Sequence, residues 1–216
     1  MKLFVWDFHG TLEKDNENAV LEISNKVLEK LGFKERLTKK DNLKLYGKKW
    51  YQYFEYLLPN ESYKTHFFIQ QKGIEYETDH PQIIDKHIKP NDHALDILEK
   101  IAKSDHHQIL VSNMSDVALI RFMKSIKIVK FFPKNSAFAT NSYKKKITLT
   151  KKDILTKYLK GKKFDKVITI GDTEIDIEMG RAVGATTYLY AHPGKKFAKT
   201  DADYKIRDLK EILKEL

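Results

Sequence analysis

Short apolar runs alternate with longer stretches whose apolar residues recur at helical spacing. Residues 3–6, 109–111, 167–170 and 187–190 are runs of strand length. Val20, Ile23, Val27, Leu28 and Leu31 fall on one helical face, and Gly32 follows as a stop. Ala94, Leu95, Leu98 and Ile101 make a second such face after Pro90-Asn91-Asp92. Thr150 and Asp153 form a capping pair that opens a helix through Ile154 and Leu159. Leu209, Ile212, Leu213 and Leu216 predict a last helix packed on a sheet. Strands alternating with amphipathic helices predict an α/β fold with a parallel sheet covered on both faces.

The alternation stops between about residues 15 and 89, where the pattern is helical and rich in Tyr, Trp and Phe. Trp50, Phe54, Leu57 and Leu58 share a face, which predicts the core of a small helical unit. Other aromatics there are candidates for lining a pocket. The expected division is 1–14 with 90–216 as the sheet domain, and 15–89 as a helical domain.

At 216 residues, 41% hydrophobic and 12% aromatic, the chain can bury a real core, which argues against disorder. It has no cysteine, which excludes disulfides, thiolate catalysis and Cys-ligated zinc or iron–sulfur sites and suits a reducing cytoplasm. No apolar run approaches the roughly 20 residues of a membrane span. Met1-Lys2 runs straight into an apolar strand, unlike a signal peptide, so a cytoplasmic location is expected. The net charge of +10 would attract anionic substrates or nucleic acid. Its lysines are scattered, however, apart from 144–146, 160–163 and 195–196, and these runs read as solvated loops. No nucleic-acid motif is visible.

Three of the apolar runs end in chemistry-bearing residues: Asp7, Ser112, and Gly171 with Asp172. In open α/β sheets, ligands bind just beyond the carboxyl ends of strands. Phosphoryl transfer to a carboxylate needs a nucleophilic Asp and a divalent cation to cancel its repulsion from phosphate. It also needs a lysine and hydrogen-bond donors for the phosphoryl oxygens. Asp7, Asp172, Ser112 and a lysine before Ile154 supply that set.

Asp7-Phe8-His9-Gly10-Thr11-Leu12, Ser112, and Gly171-Asp172 with Asp176 resemble motifs one, two and four of the haloacid dehalogenase-like hydrolases. Specifically, they resemble the phosphatase branch with a helical cap after motif one, as in phosphoglycolate phosphatase-like members. Pro90-Asn91-Asp92, Gly184-Ala185-Thr186-Thr187 and Ala202-Asp203-Tyr204 extend the likeness along the chain. The resemblance implies a Rossmann-like parallel sheet core with an inserted helical cap that closes over the site. It further implies a Mg²⁺-dependent phosphatase acting through an aspartyl-phosphate on a small phosphorylated metabolite, as a monomer or homodimer. In this scheme Mg²⁺ is held by Asp7, Asp172 and the backbone carbonyl of His9, with Asp176 orienting a bound water or the lysine. Asp7, His9, Ser112 and Lys151 carry catalysis, and Gly10, Thr11 and Asn113 bind substrate.

The sequence departs from the family at His9, where a second Asp ordinarily protonates the leaving oxygen. An imidazole can perform the same transfers. Alternatively, the substitution leaves a weak hydrolase that binds a phospho-ligand, RNA or a partner, or supports metal-independent dehalogenation. The acidic fourth motif argues against dehalogenation. No Pro-x-Pro follows a candidate lysine; register with Ile154 selects Lys151, with Lys152 and Lys146 as alternatives. Ser112 has a second reading as a helix cap, and Asn113 as a loop-shaping residue. His66, His80, His106, His107 and His192 lack metal-ligand spacing and read as surface or loop residues.

Overall fold

The computed structural model describes residues 1–46, 48–141, 149–192 and 195–216. Lys146, the rest of the 144–146 run, and Pro193 and Gly194 lie outside them. The chain divides into two compact units, Met1–Lys14 with Lys89–Leu216, and Asp15–Ile88.

The first unit is built on a parallel sheet. Its strands are β1 (Lys2–Trp6), β4 (His107–Ser112), β5 (Ala137–Ala139), β6 (Lys166–Gly171), β7 (Thr186–Tyr190) and β8 (Tyr204–Ile206), in the order β5-β4-β1-β6-β7-β8. Leu3, Phe4, Val5 and Trp6 are fully buried, as are Ile109, Leu110 and Val111, because both faces of a parallel sheet are covered. The covering helices are α6 (Ala94–Ala102), α7 (Asp116–Ser125), α8 (Lys151–Leu159) and α9 (Glu174–Arg181). On one face Leu3, Val5, Ile109 and Val111 pack with Ile154, Leu155 and Met179 of the helices. A two-stranded antiparallel ribbon, β2 (Glu13–Lys14) with β3 (Lys89–Pro90), closes this unit where the chain leaves and re-enters it.

Trp6 is level with Leu110 on one side and Ile170 on the other. β1 is also where the strand order turns, since β4 and β5 lie to one side and β6, β7 and β8 to the other. Asp7, Ser112 and Asp172 therefore emerge at the carboxyl ends of three neighbouring strands.

The predicted C-terminal α-helix is instead a 3₁₀ helix, Leu209–Glu215. With three residues per turn, its inward face is Leu209, Ile212 and Glu215, so Leu213 is only partly covered and Leu216 is exposed. The buried Glu215 carboxylate accepts from Lys166 Nζ at 2.8 and 2.7 Å and from the Tyr188 hydroxyl at 2.6 Å. Those contacts hold the tighter winding.

The second unit comprises α1 (Asn16–Lys30), α2 (Lys39–Lys44), α3 (Trp50–Leu57), α4 (Tyr63–Asp79) and α5 (Gln82–His87). Phe54, Ile69, Ile23 and Leu28 are fully or almost fully buried. Trp50 donates its indole N–H to Ser24 Oγ at 2.9 Å and lies flush against Gly73. His66 is not a surface residue: it sits inside α4, 4% exposed, with Nε2 2.9 Å from the Leu58 carbonyl. It closes the end of α3, a local role that carries no periodic signature. Among the described residues no helix is long and apolar enough to cross a membrane.

Candidate active site

Asp7 follows the last residue of β1 and is held at the strand end by its own N–H, which donates to the Ile170 carbonyl at 2.9 Å. The backbone then turns: Thr11, Leu12 and Glu13 all direct their N–H groups at the Phe8 carbonyl. Gly10 has φ +77°, a left-handed conformation suited to glycine, and this lets the turn fold back on the strand end. Thr11 is buried and its hydroxyl donates to Asp7 Oδ2 at 3.2 Å. Asn91 pins the far side of the turn, with its side-chain amide donating to the Thr11 carbonyl at 2.7 Å and its backbone N–H to Leu12.

Lys151 is the first residue of α8, opened by the Thr150–Asp153 capping box. Although a lysine, it is only 3% exposed. Its ammonium bridges Asp7 Oδ1 and Asp176 Oδ1, the latter at 2.7 Å. Lys152 is exposed. Asp176 is fully buried in α9; its second oxygen accepts from the Thr173 hydroxyl and, at 3.1 Å, from the Thr173 N–H. A Cβ on Gly171 would stand 2.2 Å from Asp176 Cβ, so this close approach depends on glycine.

Asp7, Asp172 and Asp176 each offer an oxygen within 4.8 Å of the others. Among the described residues, the Lys151 ammonium meets two of these three carboxyl groups, Asp7 and Asp176. Burial is the main force raising Asp7 to about 6; Asp176 adds to it and Lys151 opposes it. Burial also lifts Asp172 well above the usual carboxylate range, with Asp7 and Asp176 reinforcing the shift. Burial would pull the Lys151 ammonium down, but Asp176 and Asp7 outweigh it and hold lysine above its ordinary value. A cluster of three hard oxygen donors within 4.8 Å of one another could hold a divalent cation such as Mg²⁺. Both oxygens of Asp176 have protein donors, Lys151 on one and Thr173 on the other, so this carboxylate anchors Lys151 beside Asp7.

Ser112 ends β4, one residue beyond the level of Asp7, and is 1% exposed. It is not the cap of the next helix, because Ser115 Oγ accepts from the Ala118 N–H and caps α7. Asn113 Oδ1 accepts from the Thr140 hydroxyl at 3.2 Å. His9 stands on the turn with 30% of its side chain exposed. Its Nδ1 lies 2.8 Å from Glu13 Oε1, and the rings of Phe8 and Phe122 meet it edge-on.

Sequence reasoning missed Glu13, Asn91 as a tether, and Thr173. Glu13 opens the polar stretch Glu13 to Asn18, so nothing in the sequence set it apart from a surface charge.

Residues 4–190 match a family model described as haloacid dehalogenase-like hydrolase. No curated protein matches the sequence. Among solved structures, a candidate phosphatase from Clostridium difficile is 17% identical with a TM-score of 0.78, over 99% of this chain and 96% of that one. A haloacid dehalogenase-like family hydrolase from Streptococcus pneumoniae is 17% identical, TM-score 0.75, over 99% and 97%. A predicted phosphatase from Clostridium acetobutylicum is 18% identical, TM-score 0.72, over 99% and 97%. At such identities the likeness carries the fold, a parallel sheet flanked by helices as the alternation of runs predicts.

Proposed function

This chain belongs to the haloacid dehalogenase-like hydrolase family, and on that footing we propose that it is a Mg²⁺-dependent phosphatase forming an aspartyl-phosphate on Asp7. Its substrate would be a small phosphorylated metabolite. The reading is carried by the buried bridge from Asp7 through Lys151 to Asp176, with an oxygen of Asp172 within 4.8 Å of both carboxylates. Carbon–halogen cleavage would have no use for that acidic cluster. The names carried by the structural neighbours, phosphatases among them, agree with this reading.

Mg²⁺ would be held by the carboxylates of Asp7 and Asp172 and the carbonyl oxygen of His9. When bound it supplies the charge that lets a carboxylate approach a phosphate dianion. Asp7 attacks phosphorus in line with the leaving oxygen, so an Asp7–phosphorus ester bond forms as the substrate ester bond breaks. His9 gives a proton to the leaving alcohol. Lys151, kept cationic by Asp176, and the Ser112 hydroxyl hold phosphoryl oxygens, with Asn113 as a further donor; the Gly10 and Thr11 N–H groups, expected to bind substrate, are instead taken by Glu13 Oε1 and the Phe8 carbonyl. His9 then takes a proton from water, which attacks phosphorus, releases inorganic phosphate and restores Asp7.

Phosphate release from an aryl phosphate, with and without Mg²⁺, tests the proposal in wild type and Asp7→Asn. Metal-dependent turnover that disappears in Asp7→Asn is the expected result. Undiminished turnover in Asp7→Asn sinks the scheme. Phosphate binding without turnover in wild type would instead favour a ligand-binding protein.

A further inference from the structure

Glu13 is 1% exposed and is fixed by its backbone, pairing with Pro90 in the β2–β3 ribbon and donating its N–H to Phe8. Its Oε1 accepts from the Gly10 N–H at 3.2 Å and meets His9 Nδ1 at 2.8 Å. Its Oε2 is buried with no hydrogen-bond partner among the described residues. A buried carboxyl with one oxygen unsatisfied is costly, and a leucine would fill the space more cheaply. The bond to the Gly10 N–H ties the turn, and the bond to His9 gives the buried acid a second use.

We propose that Glu13 is the positioning residue for His9, a role that rests on the acid/base function assigned to that histidine. The Glu13 carboxylate accepts the Nδ1–H, which sets the neutral ring in one tautomer and leaves the lone pair on Nε2. The Phe8 ring, 5.2 Å away and 81° to the imidazole, and the Phe122 ring, at 5.3 Å and 86°, limit its rotation further. In the imidazolium form Nε2 carries the proton that passes to the leaving oxygen; the neutral ring left behind, its Nδ1–H on Glu13, then takes a proton from water at Nε2. A histidine in place of the usual second acid works here because the chain brings its own carboxylate to aim it. In this arrangement His9 and Glu13 form one functional unit, four residues apart on a tight turn.

The test uses two variants, Glu13→Leu, which removes the acceptor, and Glu13→Gln, which keeps an oxygen. Long-range proton–nitrogen spectra of the histidine rings are read on the metal-free protein, at a pH where His9 is neutral. Wild type should show an Nδ1–H ring, Glu13→Gln should retain it, and Glu13→Leu should move toward the Nε2–H form. With Mg²⁺ and an aryl phosphate, Glu13→Leu should lose about ten- to a hundredfold in kcat, with KM little changed and Glu13→Gln recovering part of the loss. In a His9→Asp background the same substitution should cost much less, because aspartate has no Nδ1–H to hold. An unchanged tautomer in Glu13→Leu, or an equal kcat loss in the His9→Asp background, overturns the proposal. Should Glu13→Leu fail to fold, an Nε2–H ring in wild type alone overturns it. If wild type releases no phosphate, the phosphatase reading fails, while the ring spectra still decide what Glu13 does.

Discussion

Gly171 and Asp176 are packed so closely that a single methyl on the glycine would stand 2.2 Å from Asp176 Cβ and 2.6 Å from its Oδ2. β6 and α9 meet there without a side chain between them. The Asp176 carboxylate in turn holds Lys151 against Asp7.

Gly171→Ala is therefore expected to displace Asp176 and, through it, Lys151. Turnover should fall by about a hundredfold or more, with a stability loss of about 1–3 kcal/mol from overpacking. Steady-state kinetics with denaturant unfolding reads both. Wild-type turnover in a folded Gly171→Ala would show that the close approach does not matter to the chemistry.

The acidic cluster makes the metal-free protein sensitive to pH. The Asp7 and Asp172 carboxyls, ordinarily near 3.8, hold protons more tightly in the folded chain, Asp7 up to about 6. The folded state then binds more protons than the unfolded one above the ordinary value, so stability falls as pH rises through about 6. Asp172→Asn should be more stable than wild type at neutral pH without metal, and the gap should close as pH is lowered. Mg²⁺ should stabilise wild type and act much less on the variant. Thermal melts across pH with chelator or Mg²⁺ measure this; parallel curves would contradict it.

Glu215 works in the opposite direction. Burial raises its carboxyl, but Lys166 and Tyr188 outweigh that and hold it below the usual value of 4.5. Its contribution is complete above that value and is lost as pH falls through the lowered one. Glu215→Gln should cost about 1–2 kcal/mol at neutral pH, given that Lys166 is partly exposed, and less in acid. Denaturant midpoints at the two pH values test the sign, and kcat should not change.

Within the helical unit, a methyl on Gly73 would meet the Trp50 indole at 2.7 Å. Gly73→Ala should push the ring off Ser24, shift the tryptophan emission and destabilise that unit by about 1–3 kcal/mol. Emission identical to wild type would mean that the ring has room to move.

Much of the sheet could be read from the chain because its central strands are unbroken apolar runs. β5 could not, since Ala137–Ala139 offers three residues and one large side chain. Asp7, Ser112 and Asp172 were legible as polar residues terminating such runs, and Lys151 through the capping pair that sets its register. Glu13 and Glu215 were not. Each looks like an ordinary surface charge until the tertiary structure supplies its partner, His9 across a turn or Lys166 on a strand 49 residues away. The last helix was misjudged for the same reason: Leu213 and Leu216 suit a 3.6-residue repeat, whereas the observed repeat of three turns Glu215 inward to Lys166 and Tyr188.

The position of β1 in the sheet bears on how the protein is made. Of the six sheet strands the one that carries Asp7 is made before the others, yet its two neighbours are residues 107–112 and 166–171. Until β6 has emerged, the apolar strand lacks one of its two neighbours and Asp7 lacks Asp172. Synthesis thus sets a late checkpoint. A chain stalled before β6 carries Asp7 and Lys151 but lacks Asp172 and Asp176, and exposes the edge of β1 that a chaperone would hold.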